Sequence, residues 1–119
     1  MPIVSAGSGT IPGNGLFNFD QGVVVTGGAD VLWHIYVPTT VRTLDPRRSA
    51  KLANMGVVDF NSVTAAQLKG LTYTATPIKG KNLPTGDVFA VLTNRGNHAK
   101  VLVTGYGYNL KIRWVTYQG

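Results

Sequence analysis

From Gly86 to Tyr117 the chain reads GDVFAVLTNRGNHAKVLVTGYGYNLKIRWVTY, three alternating runs joined by two turns. Successive side chains on a pleated strand point to opposite faces, so this period predicts a three-stranded β-meander. The first run, Asp87 to Thr93, is apolar on both faces, with Val88, Ala90 and Leu92 against Phe89 and Val91. That pattern predicts a central strand covered on both sides. Asn94-Arg95-Gly96-Asn97 supplies the first turn, with Gly96 suited to a positive φ. In the second run, His98 to Thr104, Ala99, Val101 and Val103 oppose Lys100, Leu102 and Thr104. After the GYGYN turn, Leu110, Ile112 and Trp114 alternate with Lys111, Arg113 and Val115. The expected core face is therefore Val101, Val103, Leu110, Ile112 and Trp114.

Earlier segments repeat this rhythm at shorter range. Leu16 to Asp20, Val23 to Val25, Ala29 to Val37, Thr39 to Asp45, Ser49 to Met55 and Leu71 to Thr76 read as strands. Pro38 is expected to end one of them, since proline cannot donate to a ladder. Val57 to Phe60 reads as a continuation of another past a bulge at Gly56. The 15 glycines and 6 prolines between these runs imply many turns. Thr64-Ala65-Ala66-Gln67 matches a capping box, and Lys69-Gly70 closes a helix of little more than one turn. Too short to stand alone, it is expected to pack on the sheet through Val63, Leu68 and Leu71. The fold class expected is all-β: a small antiparallel barrel or two-sheet sandwich of about seven to nine strands, with the C-terminal meander and one short helix. Residues 16–119 are read as one domain. Residues 1–15 (MPIVSAGSGTIPGNG) show no period and read as a flexible Gly/Ser/Pro-rich arm. Its glycines do not make a phosphate loop, because no Gly-Lys-Ser/Thr follows.

Net charge is +6, from eleven Lys and Arg against five Asp and no Glu. Such a balance favours acidic partners: anionic glycans, nucleic acid or anionic surfaces. Cysteine is absent, which excludes thiol chemistry, cysteine-bound zinc and disulfides without fixing a compartment. No charged start precedes an apolar core, so no signal peptide is expected, and no apolar run approaches a membrane span.

Little in the sequence points to catalysis. The aspartates are dispersed, His34 and His98 are the only histidines, and no serine sits in a nucleophile elbow. The two histidines match no metal-ligand spacing, so no metal or cofactor is expected. Binding residues are easier to name. Tyr106 and Tyr108 in the GYGYN turn, with Tyr36 and His34, offer flat rings with polar tips for a sugar or protein partner. Lys100, Lys111, Arg113 and Tyr117 alternate onto the outward meander face, a cation-and-aromatic pattern that suits single-stranded nucleic acid. Arg47-Arg48 follow the Asp45-Pro46 turn and offer a fork suited to a phosphate or carboxylate. The loop Pro77 to Thr85 (PIKGKNLPT) carries Lys79 and Lys81. Leu102 and Val115 place apolar surface beside the outward cations, a patch for a second copy of the chain or for the short helix. The leading expectation is a non-catalytic binding module for a glycan or anionic surface. Its alternatives are a nucleic-acid binder using the meander face and a structural homo-oligomerising domain.

GDVFAVLTNRGNHAKVLV followed by YGYNLKIRWVTY resembles the C-terminal part of small all-β modules of bacterial proteins, and FNFDQG, ADVLW and Arg42-x-Leu44 fit the same likeness. The resemblance implies an all-β fold and brings no catalytic or binding residues with it. Position 98, where it calls for an aromatic, is His98 here.

Overall fold

In the last strand Leu110, Ile112, Trp114 and Thr116 are buried while Lys111 and Arg113 are exposed, so the alternation read from the sequence sets its two faces. The computed structural model describes residues 2–37 and 39–119; the strand stop expected at Pro38 lies outside the described residues. Among the described residues ten strands form two open antiparallel sheets. They are β1 (Ile3–Ile11), β2 (Leu16–Asn18), β3 (Val23–Val25), β4 (Val31–Ile35), β5 (Arg42–Pro46), β6 (Lys51–Gly56), β7 (Ile78–Lys79), β8 (Val88–Leu92), β9 (His98–Gly105) and β10 (Leu110–Tyr117). One sheet runs β1-β10-β9-β8-β6 and the other β3-β2-β4-β5-β7. Their inward faces share one core, with Phe17, Trp33 and Leu44 from the second sheet, and Phe19 from the turn after β2, meeting Val91, Val101, Ile112 and Trp114 from the first.

The meander appears as expected. Strand β8 is buried from Val88 through Val91 and lies between β9 and β6. Phe89 and Val91 enter the main core, whereas Ala90 joins Val63 and Leu68 in a second cluster on the opposite face. That second cluster lies beneath α1 (Ala65–Lys69). The capping box forms: Thr64 Oγ1 accepts from Gln67 N at 3.1 Å, and Gln67 Oε1 accepts from Thr64 N at 2.8 Å. Leu71 packs on this cluster, as do Tyr73 and Tyr117.

Three expectations are corrected. The segment read as a flexible arm holds β1, paired with β10 from Ile3 opposite Tyr117 to Ile11 opposite Leu110. Its inward positions Ser5, Gly7 and Gly9 are small, so no apolar period marks the strand; Trp114 from β10 supplies the bulk over Gly7 and Gly9. Leu71 to Thr76 makes only a single bridge, Thr74 with Leu52. Beside it Tyr73 donates its hydroxyl to Leu68 O at 2.6 Å and packs with the cluster beneath α1. Val57 to Phe60 does not extend β6. Asp59 instead caps a 3₁₀ turn at Phe60–Ser62, accepting from Asn61 N and from Ser62 Oγ. Among the described residues no helix is long and apolar enough to cross a membrane.

Candidate functional site

The buried indole of Trp33 organises one end of the molecule. Its Nε1 donates to the carbonyls of Gly107 and Tyr108 at 3.2 and 3.0 Å, pinning the GYGYN turn. Tyr106 then stands edge-on to Trp33 with centroids 5.8 Å apart, and the Arg42 guanidinium lies 5.5 Å above its ring. This ring forms one wall of a cleft of about 750 Å³ whose lining includes Tyr36, Arg42, Thr43, Lys79, Lys81 and Thr85. Gly80 also lines it, and a Cβ there would stand 2.5 Å from the Tyr106 hydroxyl and 3.0 Å from Arg42 O. The close approach between β5 and the 3₁₀ turn Gly80–Asn82 therefore favours glycine, since any side chain must displace the Tyr106 tip or the Arg42 carbonyl.

Tyr36, on another part of the lining, is held by a polar cluster. Its ring stacks on His34 with centroids 4.0 Å apart. His34 Nδ1 lies 3.1 Å from Asp45 Oδ2, and Thr43 Oγ1 donates to Asp45 Oδ1 at 2.6 Å while sitting 3.3 Å from the Tyr36 hydroxyl. Among the described residues this His34–Asp45 contact is the one side-chain pairing of a basic residue with a carboxylate. Among the described residues, Arg42, Lys79 and Lys81 thus face the cleft with no carboxylate partner, and no acidic residue lines it. Arg42 Nε is buried without a hydrogen-bond partner. Buried donors of this kind are ordinarily satisfied. The lining therefore offers two aromatic rings, one hydroxyl cluster and three cations.

Of the expected site residues, Tyr36 and Tyr106 line this cleft and His34 supports Tyr36. Tyr108 does not line it; its ring lies against Gly13, where an added Cβ would clash with the ring edge. Arg47 and Arg48 are exposed in the turn after β5, outside the cleft lining. Arg42, Lys79 and Lys81 were not singled out from the sequence as site residues. The Lys-Gly-Lys spacing at 79–81 was the available signal, since alternate residues around a glycine can share one side.

The expected meander platform is corrected at one member, Lys100. Lys100 is 4% exposed, and its Nζ donates to Phe60 O at 2.8 Å and Val63 O at 3.0 Å. It also lies 4.5 Å from the Phe60 ring centroid and 6.0 Å from that of Tyr117. Burial lowers its pKa, and the nearby Arg113 charge lowers it further. The 3₁₀ turn and α1 cover this part of the outward face, because an apolar sheet face needs a covering layer. Arg113 reaches over Phe60 at 5.2 Å and Lys111 is exposed, while Tyr117 is half-buried. Leu102 and Val115 are likewise half-buried.

Two aspartates dispersed in sequence converge at the opposite turn. Asp30 Oδ2 accepts from Phe19 N at 2.7 Å, and its Oδ1 accepts from Asn94 N at 2.9 Å. Asp20 Oδ1 accepts from Thr93 Oγ1 and Asn97 Nδ2. Burial raises the Asp30 pKa, with Asp20 adding to the rise and the amide bonds opposing it. Both carboxylates are occupied in clamping the β8–β9 turn. No group of three potential metal ligands occurs among the described residues. No family model, curated protein or solved structure matches the chain.

Proposed function

We propose that this protein is a non-catalytic binding module for an acidic glycan, held in the cleft between Tyr36 and Tyr106. One observation carries the proposal: the cleft joins two tyrosine rings with Arg42, Lys79 and Lys81 and has no carboxylate in its lining. Tyrosine presents a flat apolar surface with a hydrogen-bonding tip, which suits the face of a sugar ring and its hydroxyls. The cations suit carboxylate or sulfate substituents, Arg42 as a planar fork and the lysines as point charges. The cleft volume falls within the roughly 300–1,000 Å³ typical of ligand sites.

The nucleic-acid alternative rested on Lys100 sharing an open face with Lys111, Arg113 and Tyr117. It loses support because the Lys100 ammonium is committed to two backbone carbonyls.

Calorimetric titration with heparin-derived and galacturonate disaccharides tests the proposal. Tyr106→Ala and the pair Lys79→Ala with Lys81→Ala are each expected to weaken binding at least tenfold. Raising salt is expected to weaken the wild-type interaction and to affect the variant lacking Lys79 and Lys81 less. Unchanged affinity in both variants, with folding verified by circular dichroism, would remove the cleft as the site.

A further inference from the structure

A second groove, of about 670 Å³, lies beside the first and shares Lys79 and Lys81 with it. Its polar lining is Thr72, Thr74, Thr76, Asn54 and Asn82, and again no carboxylate lines it. The ridge between the two is fixed rather than loose. Ile78 and Leu83 are buried at either end of it, Ile78 pairs with Leu44, and Asn54 Nδ2 donates to Asn82 O at 2.9 Å. Lys79 and Lys81 are therefore presented at a set position where both grooves meet.

Resting on the acidic-glycan reading of the first cleft, we infer that the two grooves form one track for an extended acidic polysaccharide, which crosses the ridge at Lys79 and Lys81. Each groove alone is large enough for a drug-sized ligand, so the track takes an oligosaccharide of about four units or more. The unequal linings set the chemistry along it. The first cleft stacks sugar faces on tyrosines, the ridge meets acidic substituents, and the second groove bonds hydroxyls through threonine and asparagine. Single-stranded nucleic acid would call for successive aromatic platforms, and the second groove has no aromatic residue in its lining.

The test measures calorimetric affinity for heparin-derived and galacturonate series from disaccharide to octasaccharide, beside an oligothymidylate of matched charge. Thr76→Glu, an exposed change in the second groove, is the discriminating variant. Linked subsites gain affinity without new contacts at either one, so the octasaccharide is expected to bind at least about tenfold tighter than the disaccharide. Thr76→Glu is expected to abolish that gain and leave disaccharide binding unchanged. Equal affinity at every length, or no effect of Thr76→Glu, overturns the track while leaving the cleft assignment standing. Absence of binding in both series overturns both. Oligothymidylate binding as tight as that of the octasaccharide overturns the polysaccharide assignment.

Discussion

The indole of Trp114 lies across the bare backbone of Gly7, where an added Cβ would stand 3.2 Å from Cη2. Ser5, two residues earlier on the same strand, accepts from Trp114 Nε1 at 3.0 Å and donates its own proton to Phe19 O. Gly22 closes the seat: its φ is +71°, and a Cβ there would be 2.8 Å from Cζ2 of the same indole. Thus β1 and the β2–β3 turn are both held against one side chain of β10. Gly22→Ala combines a left-handed backbone cost of roughly 1–2 kcal/mol with a ring clash. We expect it to destabilise the fold by about 2–3 kcal/mol, against about 1 kcal/mol for Gly7→Ala, which meets only the tighter contact. Urea unfolding of the two variants checks the order, and an equal effect would contradict the shared seat.

Lys100 gives a prediction that separates a structural lysine from a ligand-binding one. Lys100→Ala removes the donor to Val63 O and one of two donors to Phe60 O. Leaving a buried carbonyl unpaired costs about 1–3 kcal/mol, and lost packing of the alkyl chain adds to it. We expect a loss of about 2–4 kcal/mol in urea unfolding, with Arg113→Ala within about 1 kcal/mol of the wild type. Below the unfolding transition, affinity for an acidic disaccharide should be unchanged. A Lys100→Ala protein of native stability with weakened binding would return this residue to the site.

These residues show which parts of the structure were legible. The alternation of Leu110, Ile112 and Trp114 is written in their own side chains, and the Thr64–Gln67 capping box is a local pattern, so both were readable. Strand β1 was not, because its inward positions before Ile11 are small and the apolar surface over them belongs to Trp114, more than a hundred residues away in sequence. Lys100 misled for a related reason: period two places it outward, but period says nothing about what covers that face. The cleft joins residues from the end of β4, the start of β5, the Gly80 turn and the β9–β10 turn. Tyr36 and Tyr106 were identifiable as exposed-type aromatics, whereas their grouping with Arg42, Lys79 and Lys81 depends on sheet order, which one sequence does not disclose.

Asp87 sets an unusual pH dependence. It is 2% exposed, its Oδ2 has no hydrogen-bond partner, and burial raises its pKa from 3.8 to about 6. The folded state therefore binds more protons than the unfolded state between those values. Stability from this group is fully present below pH 3.8 and is lost as pH rises through 6. Asp87→Asn should accordingly stabilise the protein at pH 7 by roughly 1–3 kcal/mol relative to wild type, with the difference closing near pH 4. Comparing the two proteins at each pH cancels other titrating groups, including His98, whose pKa burial lowers. A difference that is constant across this range would show that the carboxyl does not change its charge there.

Gly80 links the fold to the proposed ligand. The position has no side chain because the Tyr106 hydroxyl and the Arg42 carbonyl occupy the space a Cβ would take, at 2.5 and 3.0 Å. Gly80→Ala must displace one or both. The tyrosine tip is the softer neighbour, since the carbonyl belongs to β5, whose next residues pair with β7 at Thr43 opposite Lys79. Moving Tyr106 off its edge contact with Trp33 also takes the ring from under Arg42, so aromatic wall and cation shift together. A displacement near one ångström in a preformed site is expected to weaken acidic disaccharide binding about tenfold or more, while overpacking lowers stability by about 1–3 kcal/mol. Gly70→Ala is the control: at the C-cap of α1 an added Cβ meets only ordinary contacts at 3.6 Å or beyond, so binding should be untouched. If Gly80→Ala binds the disaccharide as tightly as wild type, Tyr106 is not a wall of the binding site.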